Sequence, residues 1–244
     1  MSVYFISDLH LKPERPDLSR AFSSFLSHTA QGADALYLLG DIFDAWIGDD
    51  APVPGIEPLV AQLKQLSDGG CKIYFQHGNR DFLVGSDFTD RIGAELLPEQ
   101  TVHTLPIGKA LILHGDQLCT DDQEYMQFRA MVRNPAWQQQ ILSKPIDERI
   151  ALAKQLRTTS QERTAEKDDY ITDVNADEVN KQLNKADVTL MIHGHTHRPA
   201  IHTFDTQGHE ATRIVLGDWD TQGWYLKVDH DNYQLISFDI ADAP

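Results

Sequence analysis

CKIYFQHGNRD, residues 71–81, sets a short apolar run against an abruptly polar end. The run reads as a buried strand of the kind used in parallel sheets, where both faces are covered. At its carboxyl end a glycine precedes Asn79 and Arg80. Asparagine is an uncommon metal ligand. An arginine beside a metal site neither gives nor takes a proton, because its guanidinium stays charged up to a pKa above ~12. The pair asks what chemistry would want it.

Working outward, the same layout recurs. SVYFIS (2–7) reads as a strand and is followed by Asp8-Leu9-His10. A helix over PDLSRAFSSFLSHTA leads to ADALYLLG (33–40), another strand, ending on Gly40-Asp41. GIEPLVAQLKQLSDGG is a helix that closes on two glycines before the run quoted above. A short helix near 86–92 follows, then LLPEQTVHTLPI and KALILHGD as paired strands, the second ending at His114-Gly115-Asp116. VTLMIHGH delivers His193, His195 and His197, and four more strands complete the chain: RPAIHTFD, ATRIVLGD, GWYLKVDH and YQLISFD. The expectation is an α/β fold of two packed mixed β-sheets flanked by helices, a single domain over 1–244. Strand alternation is expected to put Asp8 and His10 on one side, and His195 and His197 likewise.

Open α/β sheets bind ligands at the carboxyl ends of their strands, and five such ends here carry Asp, His or Asn. Carboxylate, imidazole and amide without thiolate suit a pair of Mn²⁺, Fe or Zn ions. Two ions about 3.5–4 Å apart clamp a phosphorus centre for in-line attack. Asp41 is the natural bridge, having two oxygens to share, and Asn79 offers a neutral oxygen beside an anionic substrate. The remaining histidines, at 28, 77, 103, 193, 202, 209 and 230, read as structural.

Composition sets limits. Hydrophobic residues make up 41% and charged residues 24%, as in an ordinary soluble globular protein. No apolar run approaches the ~20 residues that span a bilayer, and the first residues lack the pattern of a signal peptide. Cys71 and Cys119 have no motif spacing and read as reduced core thiols. The net charge of −16 works against nucleic acid, and no basic track offers itself to a strand. Residues 120–170 differ from the rest: eight Lys/Arg against nine Asp/Glu, and helical throughout, with Asn134-Pro135 and Lys144-Pro145 as helix starts. This segment is expected to be a helical lid insert.

The order DLH…GD…GN…HGD…GHTH, spanning residues 8–197, resembles the calcineurin-like metallophosphoesterase family. The resemblance implies Asp8, His10, Asp41 and His197 on one metal, and Asp41, Asn79, His114 and His195 on the other, with His10 and Asp41 part of the catalytic machinery. Many members carry histidine after the asparagine, assigned to protonate the leaving group or stabilise the transition state; here that position is Arg80. Arginine supplies only positive charge and bidentate contacts to phosphate. A phosphate leaving group, with a second pKa near ~6, departs unprotonated; a sugar or serine alkoxide does not. GNRD therefore points to pyrophosphate cleavage, the alternative being that Arg80 merely pairs with Asp41 or Asp81.

GNRD, YLLGDIFDAWIGDD and a helical insert before GHTH together resemble, over the whole length, members that act on a lipid-linked UDP-sugar, usually with two Mn²⁺ ions. That implies substrate contacts from Asn79, Arg80, Asp122, Arg157, Ser160, Thr164, Lys167 and His195. Arg157, Ser160, Thr164 and Lys167 share one helix face by their spacing; the same stripe also fits an ordinary solvated face. Tyr125, Phe128, Val132, Trp137, Ile141, Ile146, Ile150, Leu152, Ala153 and Leu156 are more apolar surface than three short helices need for packing; part of it, with Trp46, is expected to form a groove for acyl chains, while for any single one of these residues plain packing is the alternative. The near-neutral insert would approach an anionic membrane without repulsion. The expectation is a cytoplasmic monomer bound peripherally to the inner membrane. A general nucleotide phosphodiesterase or phosphatase is the competing enzyme reading, and a non-catalytic scaffold of the same fold the competing class.

Overall fold

The computed structural model describes residues 1–51, 53–165, 171–230 and 232–242, with side chains 159–165 not described. A six-stranded sheet has the order β11-β10-β1-β2-β3-β4, and a five-stranded sheet the order β5-β6-β7-β9-β8. In the first, β1 (Ser2–Ile6), β2 (Ala35–Leu39), β3 (Lys72–Gln76) and β4 (Ala94–Leu96) run parallel, and β10 (Gln222–Asp229) and β11 (Asn232–Asp239) extend it antiparallel. In the second, β5 (Gln100–Leu105) and β6 (Gly108–Leu113) form a hairpin; β7 (Leu190–His193) is parallel to β6 and to β9 (His209–Val215), which pairs with β8 (Ala200–Thr206).

The period of two explains the layers. From β1, Val3 and Phe5 enter the core between the sheets with Tyr37, Leu39, Ile112, Ile192 and Leu226. Tyr4 and Ile6 face the other way, onto α1 (Pro16–Ser24), α2 (Glu57–Asp68) and α3 (Ser86–Ile92). The second sheet is covered by α7 (Ala176–Ala186) through Val179 and Leu183. This stack of helices, two sheets and helix brings the carboxyl ends of β1, β2, β3, β6 and β7 to one edge.

Between β6 and β7 come the insert helices α4 (Gln123–Val132), α5 (Pro135–Leu142) and α6 (Ile146–Ala165). Asp122 caps α4 by accepting the Tyr125 N–H at 3.0 Å, and Asn134 caps α5 through Ala136 and Trp137. Arg149, only 3% exposed, fastens α6 to the 44–50 segment, donating to the Ile47 carbonyl and to Asp50, each at 2.7 Å. Both cysteines are buried and free.

Two elements depart from expectation. β4 is only three residues long, after Gly93 in the left-handed region, too short for a periodicity to show. α7 was not expected either, although Asn175 caps it and Glu178 stands three residues on, a capping pattern visible in the sequence.

Candidate metal centre and substrate cleft

The side chains converge from loops, not from extended strands, which corrects the alternation argument. β1 ends at Ile6, and Asp8 and His10 lie beyond it with φ of 57° and 50°. Asp41, His195 and His197 adopt the same left-handed backbone, at 53°, 71° and 55°. Each such residue costs on the order of 1 kcal/mol relative to the ordinary regions. Five of the seven candidate ligands share this strain, so the surrounding fold over-determines where they point. Loop approach is equally tight. At Gly78 a Cβ would collide with the Asp41 backbone and carboxylate, and at Gly194 with Ser7 and Asp8, so the GN and GH glycines are required by space.

Asp8, His10 and His197 form one group and Asp8, Asp41 and His114 another, each offering ligand atoms within 4.8 Å of one another. His197 Nε2 lies 3.4 Å from Asp8 Oδ1 and 3.3 Å from His10 Nε2. His114 Nε2 and His195 Nδ1 converge on Asn79 Oδ1, at 3.0 and 2.9 Å. The other ring nitrogen of His114 is 2.8 Å from the Leu39 carbonyl, so donating its N–H there leaves Nε2 for the centre. Asp8 accepts the His195 N–H at 2.9 Å and Asp41 accepts that of Arg80 at 2.8 Å. His193 stands apart: one ring nitrogen meets the Gly194 carbonyl and the other accepts from Arg213 at 3.1 Å, so neither is left for a metal.

The electrostatics fit cations. Burial pushes Asp8 up, but the hydrogen bond and charge of His197, with His114 and His10, hold it well below the usual carboxylate range. Burial, reinforced by Asp81 and Asp8 and opposed by His114, lifts Asp41 to about 7. Burial also drives His10 and His195 down to about 3, so their nitrogens are lone-pair donors, whereas His197 rises to about 9 because Asp8, then Asp218 and Asp41, outweigh its burial. His10 Nδ1 is buried without a hydrogen-bond partner. Crowded carboxylates, the neutral imidazoles of His10 and His195 and the orphaned His10 nitrogen make a set that divalent ions would satisfy, and an ion beside Asp8 would take the place of the His197 proton.

Arg80 stands at the rim. Its Nε is 3.9 Å from Asp41 Oδ2, the limit of an ion pair, and the side chain is 26% exposed. Asp81 is engaged elsewhere: its two oxygens accept the Gly78 and Ile42 N–H groups at 2.8 Å. From Asn79 and Arg80 a cleft of about 680 Å³, open mouth included, runs between insert and body. Trp46, Phe82, Tyr125, Phe128, Trp137 and Leu156 are among its walls, with Arg157 at the side. Phe82 was not anticipated, because nothing in GNRDF separates it from a core residue. Ile146 and Ile150 do not line the cleft and are exposed, so the part of the apolar set that forms its walls excludes them. Arg157 contacts the Asp44 carboxylate. The Ser160 and Thr164 side chains and Lys167 lie outside the described residues.

The description "calcineurin-like phosphoesterase" applies to a family model that matches residues 1–199. The chain belongs to this family. It is 50% identical over 240 residues to a UDP-2,3-diacylglucosamine hydrolase of Cellvibrio japonicus, covering 98% of this chain and 100% of that one. Identity is 51% over 227 residues to the protein of that name in Marinobacter nauticus (93% of each chain), and 50% over 232 residues to that of Chromohalobacter salexigens (95% and 94%).

Proposed function

We propose that this chain hydrolyses the pyrophosphate of UDP-2,3-diacylglucosamine, by attack of water on the α-phosphorus, to UMP and 2,3-diacylglucosamine 1-phosphate in lipid A synthesis. One observation carries the reading: Arg80 stands at the junction of a carboxylate–imidazole centre and an apolar cleft. A phosphate beside Arg80 would meet its charge, and an acyl chain could continue from there into the cleft.

The centre's residues divide the work. Asp8, His10, Asp41 and His197 would hold one divalent ion, and Asp41, Asn79, His114 and His195 a second. The ions, Mn²⁺ in this reading, would supply Lewis-acid polarisation of the phosphoryl oxygens and a more acidic attacking water. Arg80 neutralises charge on the departing phosphate and donates no proton to it. Asp122, and Ser160, Thr164 and Lys167 on the insert, would meet the sugar and its phosphate together with Arg157. Arg157→Ala is expected to raise KM for the lipid substrate about tenfold, the worth of one charge-assisted contact, with kcat changed far less. An unchanged KM would remove Arg157 from the substrate site.

Among the described residues no helix is long and apolar enough to cross a membrane. The insert exposes Met131, Leu142, Ile146 and Ile150, apolar side chains that fit peripheral contact with a membrane surface; in this reading the protein is a monomer that rests by its near-neutral insert on the cytoplasmic face of the inner membrane. The deciding experiment is hydrolysis by metal-stripped protein with and without Mn²⁺, on UDP-2,3-diacylglucosamine and on bis-p-nitrophenyl phosphate. Mn²⁺-dependent release of UMP with little diester turnover is expected. Strong diester cleavage with the lipid untouched would instead mean a general phosphodiesterase.

A further inference from the structure

The HGD tripeptide ends on Asp116, a carboxylate 1% exposed that the chemistry above does not use. Its Oδ2 accepts from Arg129 Nε at 2.9 Å and from the Tyr125 hydroxyl at 3.1 Å, both on α4. Arg133, the residue after α4, is 3.5 Å from the same oxygen. Glu99 meets Arg129 Nη2 at 2.8 Å and Arg133 Nε at 3.2 Å. Arg133 then reaches the centre itself: its Nη2 donates to the Gly78 carbonyl at 3.0 Å.

A guanidinium 10% exposed is costly to bury unless its charge is compensated; here Glu99 and Asp116 compensate the charge, and Nη2 donates to the Gly78 and His77 carbonyls. The contact to Gly78 separates this cluster from a simple tether. Gly78 immediately precedes Asn79 and Arg80. Its N–H is held by Asp81, and its Cα lies too close to Asp41 to carry a side chain. Gly78, which leads into Asn79 and Arg80, is thus gripped on its N–H by the body and on its carbonyl by the insert.

We propose that Arg133, oriented by Asp116, is a positioning residue for the metal centre: it fixes the Gly78–Asn79 peptide, so that α4 belongs to the catalytic frame and not only to a cover over the substrate. A cover acts on substrate affinity. A frame acts on turnover and on the affinity of the centre for metal.

The test uses full-length Arg133→Met. Mn²⁺ binding to the metal-stripped protein is measured by calorimetry, and kcat and KM are measured separately on UDP-2,3-diacylglucosamine. Mn²⁺ affinity is expected to fall about tenfold and kcat about 30-fold, in the range seen when support behind a metal ligand is lost, with KM nearly unchanged. Arg133→Lys should restore part of both, since an ammonium can still reach the Gly78 carbonyl. Asp116→Asn, which keeps the shape, should move both quantities in the same direction. Added to Arg133→Met it should cost little more, because the two act as one unit. Unchanged Mn²⁺ affinity with a raised KM would overturn the proposal and leave Arg133 a fastener of the lid; full additivity would overturn the role of Asp116. Should Arg133→Met fail to fold, Arg133→Lys and Asp116→Asn decide through the same readouts. The kinetic arm rests on the proposed substrate and the metal arm does not, so a wild-type protein inactive on the lipid would defeat that reading alone.

Discussion

Asp41→Asn is expected to abolish hydrolysis, lowering kcat/KM by about 10⁴-fold or more, since the ions' stabilisation of transition-state charge amounts to several kcal/mol. The substitution keeps size and shape and removes one charge. Asp41 is buried and held at a left-handed φ of 53°, with one oxygen fixed by the Arg80 N–H. An asparagine oxygen can retain that hydrogen bond, so the fold and the Arg80 backbone should survive. What is lost is the negative charge that Asp41 adds beside Asp8 and His114. Metal analysis should accordingly find fewer than two ions per chain. The geometry also says what failure would mean. Asp8 lies in both groups of candidate ligands, so an Asp41→Asn protein within tenfold of wild-type activity would make Asp8, not Asp41, the carboxylate that two ions share.

Most residues that converge at this candidate centre stand out in the sequence because the signal is local. A buried strand is a short apolar run, its end is marked by glycine, and the polar residue after it is conspicuous. That sufficed to single out Asp8, Asp41, Asn79, His114 and His195 as candidates. The backbone that aligns them was not legible: nothing in DLH or GHTH marks a left-handed φ at Asp8, His10, His195 and His197. Alternation placed Asp8 and His10 together for a wrong reason. What escaped reading altogether is long-range. Asp116, Arg133 and Gly78 are far apart in the chain and meet only because the insert folds back over β3. The burial of Arg149 depends likewise on a loop about a hundred residues earlier. The insert's apolar residues were read as one set, whereas tertiary packing divides them: Trp137 and Leu156 line the cleft, and Ile146 and Ile150 face outward.

Arg80→Ala is expected to lower kcat about 10³-fold, the scale of removing a preorganised charge from a developing anion, while both metals stay bound. The second half of that expectation is the informative one. The Arg80 main chain is held independently of its side chain, by the N–H to Asp41 and by the carbonyl that accepts the Trp46 N–H at 3.1 Å. Truncation should therefore leave Asn79 and Asp41 where they are. At 3.9 Å the guanidinium is a weak partner for Asp41, and Asp81 is satisfied by backbone amides; the structural alternative for Arg80 thus has little to hold it. Loss of metal in Arg80→Ala would revive that alternative. Arg80→Lys should recover only part of the rate, because an ammonium cannot make the paired contacts of a guanidinium fork. Arg80→His separates charge from proton donation. Imidazole titrates near neutrality and can protonate an alkoxide, which arginine cannot. Pyrophosphate cleavage should fall and hydrolysis of an alkyl phosphodiester rise, reversing the preference of the wild type. If both activities fell together, the leaving group would not be what Arg80 selects, and selectivity for pyrophosphate would have to come from the cleft alone.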